Sequence, residues 1–123
     1  MTESVLLMMR DEIAQKGAKL YVVGLTNRYQ VHPDVAVRTE FAKKLGVDDL
    51  FYPDRRLARF CQSHDIPVLL LAPLFQDYAT LNNVFLHGFV QGLRNNLGAG
   101  HWNQNGHRLA GQTIARWLCP QLN

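Results

Sequence analysis

The sequence predicts an α/β fold, and three observations carry that reading. Two short apolar runs, Lys19 to Leu25 and Ile66 to Pro73, lack the strict alternation of a half-solvated strand and suit parallel strands covered on both faces. Around them, apolar residues recur at the three-to-four spacing of buried helical stripes. Glycines and prolines punctuate the segments, giving the order helix, turn, buried strand that belongs to a layered α/β sheet.

Thr2 to Lys16 reads as the first helix. Leu6, Met9 and Ile13 share one face, Thr2 or Ser4 can cap the start, and Gly17 can end it in the left-handed conformation. Met8 and Met9 read as core filler. Lys-Leu-Tyr-Val-Val-Gly-Leu, residues 19–25, is the first strand. The polar loop beyond it, Thr26 to Pro33, stands where open parallel sheets bind ligands, so Asn27 and Arg28 are candidate substrate-binding residues that can orient an oxyanion or a sugar hydroxyl; an ordinary exposed loop is the alternative.

A second helix is expected over Pro33 to Leu45, with proline at its first position, Val37, Phe41 and Leu45 inward, and Gly46 as the stop. A third runs from Pro53 to His64 with Leu57, Phe60 and Cys61 inward, which makes Cys61 a small core residue rather than a nucleophile. Ser63-His64-Asp65 spells a catalytic triad but is rejected. Consecutive side chains near a helix end diverge, whereas a triad needs converging ones. After the second strand, Leu74, Phe75, Tyr78 and Leu81 predict a fourth helix over Leu74 to Leu81, and Asn82-Asn83 a turn. Val84 to Val90 stays open between a short strand and a packed loop, with His87 read as structural.

Composition excludes several classes. The chain has 123 residues, 47% of them hydrophobic, which is enough for one small domain with a core. Thirteen Lys and Arg against ten Asp and Glu give a net charge of +3, and the basic residues are scattered, so no nucleic-acid stripe is expected. Cys61 and Cys119 form neither a disulfide framework nor a zinc pattern. No apolar run approaches the roughly 20 residues of a membrane helix, and the first residues lack the basic-then-apolar order of a signal peptide, so no membrane partner is expected and no compartment can be assigned.

The informative stretch is Gly98-Ala99-Gly100-His101-Trp102-Asn103-Gln104-Asn105-Gly106-His107-Arg108-Leu109-Ala110. A glycine-rich loop delivers His101 and Trp102 to the mouth of a helix over Gln104 to Leu118. Asn103 is placed to cap that helix, and Leu109, Ala110, Thr113, Ile114, Trp117 and Leu118 form its buried stripe. A histidine on a loop fixed by a rigid helix is a common arrangement for a catalytic base; a plain surface histidine is the alternative. Trp102 can stack on a sugar ring or anchor the loop. The six-residue spacing of His101 and His107 is not a recognised ligand pattern, so no metal is expected there, and no organic cofactor is implied.

Gly-His-Trp-Asn-x-x-Gly-His-x-x-Ala resembles the C-terminal block of the SGNH (GDSL-like) hydrolase superfamily, especially the branch related to alginate O-acetyltransferases. The resemblance extends more weakly through residues 20–33 and 50–73. It implies a partial flavodoxin-like three-layer fold, corresponding to the C-terminal half of such an enzyme. In that block His101 takes the place of the general base of a Ser-His-Asp triad, Asn103 that of the cap, and Gly106 that of a glycine allowing close helix packing. A polar or basic residue in the loop after the first strand of such relatives favours a site role for Arg28. The implied chemistry is hydrolysis or transfer of acyl groups, acetyl foremost, on small-molecule or carbohydrate esters.

The chain departs from that pattern twice. Its only serines, Ser4 and Ser63, lie in no strand-to-helix turn, so the nucleophile is absent. The positions two and three residues before His101, where the triad aspartate would stand, hold Ala99 and Gly98, leaving Asp77 or another acid as a substitute orienter. The isolated chain is therefore expected to be inactive or nearly so, and a non-catalytic binding or assembly module is the competing reading. Two strands also leave sheet edges unpaired, which predicts a homodimer or complementation by a missing N-terminal half.

Overall fold

Two parallel strands, β1 (Val22–Gly24) and β2 (Val68–Leu70), pair in the register Val22 with Val68, Val23 with Leu69 and Gly24 with Leu70. The computed structural model describes residues 2–122. Helix α1 (Thr2–Gln15) precedes β1, and α2 (Val35–Leu45) and α3 (Tyr52–Ser63) fill the connection to β2. Then come α4 (Leu71–Asn82), a small antiparallel hairpin of β3 (Val90–Gln91) and β4 (Arg94–Asn95), α5 (Gln104–Leu118) and a closing 3₁₀ turn, Cys119–Gln121. The fold is mixed α/β. Among the described residues, no helix is long and apolar enough to cross a membrane.

Helix α3 lies on β2, while α4 touches both β1 and α5. The core gathers along α4: Leu71, Phe75 and Ala79, spaced by four, are fully buried against Val31, Leu86 and Ala110, with Val23, Leu69, Trp102 and Ile114 packed around them.

Several elements differ from expectation. The strands are three residues long rather than seven or eight, and their residues are half-buried rather than covered on both faces. Leu71 enters α4 directly, three residues before the expected start at Leu74. Pro73 is tolerated there because N–H groups of a first helical turn have no intrahelical partner. The earlier start sets the buried stripe on Leu71, Phe75 and Ala79 and turns Leu74 and Leu81 to solvent, Leu81 to 85% exposure. Helix α2 begins at Val35 rather than Pro33, because Asp34 Oδ1 accepts the Ala36 N–H at 2.8 Å and caps it, leaving Pro33 buried ahead of the cap. At the other end Gly46 closes α2 with a positive φ, but Leu45 is exposed.

Helix α1 ends at Gln15, and α3 spans Tyr52–Ser63 rather than Pro53 to His64. No residue of α1 is fully buried, and Met9 faces solvent. Leu6 and Ile13 are half-buried, and polar contacts add to them, Arg10 Nη1 donating to the His64 carbonyl at 3.1 Å and Arg56 pairing with Glu3 at 3.0 Å. Cys61 is fully buried, as its helical position predicts. Against the expected divergence, Ser63 Oγ and His64 Nδ1 lie 3.0 Å apart, but both are engaged with the Phe60 carbonyl, Ser63 Oγ donating to it at 2.9 Å and His64 Nδ1 meeting it at 2.8 Å, and Asp65 joins neither. Val84 to Val90 resolves into a packed loop, with only Val90 entering a strand.

Helix α5 spans Gln104–Leu118 as expected, and its first turn holds the neighbouring loop. Asn103 Oδ1 accepts the Gly106 N–H at 3.0 Å, while Asn103 Nδ2 donates to the Phe85 carbonyl at 2.8 Å and its backbone N–H to the Leu86 carbonyl at 3.0 Å. A Cβ on Gly106 would stand 2.4 Å from the Leu86 carbonyl oxygen and 3.0 Å from Trp102 Cβ. Gly106→Ala is therefore expected to cost about 1–3 kcal/mol, and Asn103→Ala about 1–2 kcal/mol, in urea denaturation. Losses below about 0.5 kcal/mol in both would mean that this contact does not hold the loop.

Candidate functional site at the carboxyl end of β1

Where β1 ends, the chain runs through Leu25 into Thr26, and Thr26 meets the loop that precedes α5. Trp102 Nε1 donates to Thr26 Oγ1 at 2.7 Å. The same hydroxyl lies 3.0 Å from His87 Nε2, and His87 Nδ1 lies 2.8 Å from the Gly100 carbonyl. Indole N–H can only donate and a carbonyl can only accept. With the ring neutral, as its burial favours, the bonds run from Trp102 to Thr26, from Thr26 to His87 Nε2 and from His87 Nδ1–H to Gly100. His87 is neutral in this arrangement. Backbone bonds reinforce it, Gly88 N–H donating to the His101 carbonyl and Gly98 N–H to the His87 carbonyl, each at 2.9 Å, with a β-bridge pairing His87 and Trp102.

These residues line a depression of about 360 Å³ together with Leu25, His101 and His107. The His101 side chain is exposed there, and Trp102 is half-buried, its ring centroid 5.5 Å from that of Phe75 and 5.7 Å from that of His107. No family model, curated protein or solved structure matches the chain. The functional reading rests on this geometry.

A second depression of about 430 Å³ shares Leu25 and Thr26 with the first and is lined by Asn27, Gln30 and Asp54 among others. The buried Asp54 carboxylate accepts from Gln30 Nε2 at 2.7 Å, and Gln30 Oε1 accepts the Asn27 N–H at 2.8 Å. Burial pushes the Asp54 pKa up from 3.8, partly opposed by the Gln30 bond.

His101 and Trp102 are thus brought together as the sequence predicts, and Asn103 and Gly106 stand beneath them. Asn27 lies in the adjoining depression, its Oδ1 accepting the Tyr29 N–H at 2.9 Å. Arg28 lines neither depression. It stacks on the Tyr29 ring, 4.3 Å from the centroid, and Tyr29 in turn stacks on Phe41. The ion pairs of the described residues join Arg10 with Asp11, Lys16 with Glu12, Arg55 with Asp49 and Arg56 with Glu3, so none orients His101, and Asp77 is exposed on α4. Among the described residues, no group of three or more His, Cys, Asp or Glu could hold a metal ion.

The bond between Thr26 and His87 escaped the sequence, which placed Thr26 only at the start of a candidate loop and read His87 as structural. The signals were faint: a hydroxyl residue just past a strand, and one histidine inside the apolar run Val84 to Val90.

Burial holds the His87 pKa below its ordinary 6.5. The bond to the Gly100 carbonyl works against this, while the charges of Arg28 and His101 add to it. Between the folded value and 6.5 the unfolded chain binds more protons, so this stabilisation is full above about pH 6.5 and is lost as pH falls toward the folded value. Urea midpoints taken from about pH 7.5 to about pH 5 should fall in the native chain, with a shallower slope in His87→Gln. Asp54 acts in the opposite sense but is common to both chains. Equal slopes would show that His87 is not held neutral by burial.

Proposed function

We propose that the chain is an SGNH hydrolase-like α/β domain that serves ester hydrolysis or O-acyl transfer, with His101 as general base and the attacking serine supplied from outside this chain. The observation that supports this is the position of His101: an exposed imidazole in a depression at the carboxyl end of a parallel strand, on a loop pinned from both sides. In such a site the serine oxygen attacks an acyl ester carbonyl, His101 takes the serine proton, and the proton passes to the leaving alcohol as the tetrahedral intermediate collapses. Substrates on this reading are acetyl or similar esters of small molecules or carbohydrates. The adjoining depression, with Asn27 on its wall, has room for the alcohol portion.

The bonds of Trp102 support its role as an anchor rather than a sugar platform, since its indole nitrogen is committed to Thr26 and its ring lies against Phe75. Arg28, stacked on Tyr29, lies outside both depressions and takes no part in this step. The finer architecture, a three-layer fold, requires more parallel strands than the two among the described residues. Each strand of a two-stranded sheet keeps one edge unpaired, and on this proposal a second copy or an N-terminal half closes it and brings the serine.

One observation favours a second reading, a non-catalytic binding or assembly module: no acid orients His101, a loss worth about 10⁴-fold where such a triad is complete. Hydrolysis of p-nitrophenyl acetate, in which His101 as base can activate water in place of the absent serine, separates the two. A residual enzyme gives a rate above buffer that is lost in His101→Ala. A rate equal to buffer in the native chain, with or without the substitution, supports the module.

A further inference from the structure

Thr26 and His87 take no part in the reaction above, yet their geometry is that of an activated nucleophile. We propose that Thr26 is itself an acyl acceptor, with His87 as its base, an inference that rests on the acyl-ester reading of this depression. The bond direction carries the argument. Thr26 has one hydroxyl hydrogen; in the neutral ring Nδ1–H donates to the Gly100 carbonyl, so Nε2, 3.0 Å from Thr26 Oγ1, is the acceptor for that hydrogen. His87 Nδ1–H is held by the Gly100 carbonyl at 2.8 Å, which fixes the tautomer and ring orientation as an aspartate does in a triad. The Thr26 oxygen accepts one hydrogen bond from Trp102 and retains a second lone pair for attack.

Placement agrees with that role. Thr26 lines both depressions at the end of β1, so an ester carbonyl held at its oxygen can extend its acyl group to one side and its alcohol to the other. His87 is 6% exposed, which shields the base from water, while His101 stands exposed in the same depression.

The step balances without an added oxidant or metal. Thr26 Oγ1 forms a bond to the ester carbonyl carbon as its proton passes to His87 Nε2, and the Gly100 carbonyl stabilises the imidazolium that results. The tetrahedral intermediate expels the alcohol oxygen, which takes the proton from His87 Nε2 and leaves acyl-Thr26 and a neutral imidazole. Water then attacks the acyl carbon, giving its proton to His101. The departing Thr26 oxygen recovers that proton, releasing the carboxylic acid.

The test is mass spectrometry of the full chain after acid quenching from p-nitrophenyl acetate, with peptide mapping. One acetyl group on the Thr26 peptide is expected in the native chain and, in larger amount, in His101→Ala, where the deacylating base is gone. His87→Gln should slow its appearance at least about 100-fold. Thr26→Val should carry none, and Thr26→Ser, which preserves the hydroxyl should Val disturb folding, should carry it. Absence of acetyl on Thr26 in both the native chain and His101→Ala overturns the proposal, and so does labelling indifferent to His87→Gln. If hydrolysis is lost in His101→Ala while Thr26 is never labelled, the Thr26 step fails and the His101 reading stands. If Thr26 is labelled but turnover is indifferent to His101→Ala, the reverse holds.

Discussion

The site depends on one hydroxyl group. Thr26 joins two parts of the chain that are 76 residues apart, accepting from Trp102 on the approach to α5 and donating to His87 on the loop after α4. Each such bond contributes a net ~0.5–1.5 kcal/mol, but leaving a buried imidazole or indole nitrogen unpaired costs more than the bond itself contributes. The consequence is geometric. With Thr26 fixed by β1 and Asn103 fixed by α5, residues 98–102 between them have little freedom, and His101 is presented from a braced loop.

That bracing is layered. Phe75 supports Trp102 from the core, and the missing side chain of Gly106 lets the Leu86 carbonyl rest on the first turn of α5. Gly88, at φ 83°, lies so close to the hairpin that a Cβ would stand 1.8 Å from the Asn96 carbonyl oxygen. The result is a braced wall around an exposed imidazole, beside a parallel sheet that has two strands among the described residues.

What was legible in the sequence was local. The cap at Asn103, the extent of α5, the burial of Cys61 and the helix–strand order all follow from residues within a turn or two of one another. What was not legible was set by contacts across the chain. Helix α4 starts at Leu71 because Leu71, Phe75 and Ala79 find a core, and no residue near Pro73 announces that. Met9 and Leu81 obey helical spacing yet face solvent, because spacing defines a stripe without saying what will cover it. The pairing of Thr26 with His87 spans 61 residues and has no motif. The loop position of His101 was readable from its neighbours, whereas the contact between Thr26 and His87 was not.

The most direct measurement is the protonation state of His87, read from imidazole nitrogen shifts and long-range proton–nitrogen correlations in the native chain near neutral pH. The bond chain requires a neutral ring with the proton on Nδ1 and an unprotonated Nε2 facing Thr26. Replacing Thr26 with Val should remove the hydrogen bond that Nε2 accepts, and shift that nitrogen. A ring carrying its proton on Nε2, or charged at neutral pH, would contradict the account, because Thr26 would then be a hydrogen-bond acceptor and its oxygen would have no base.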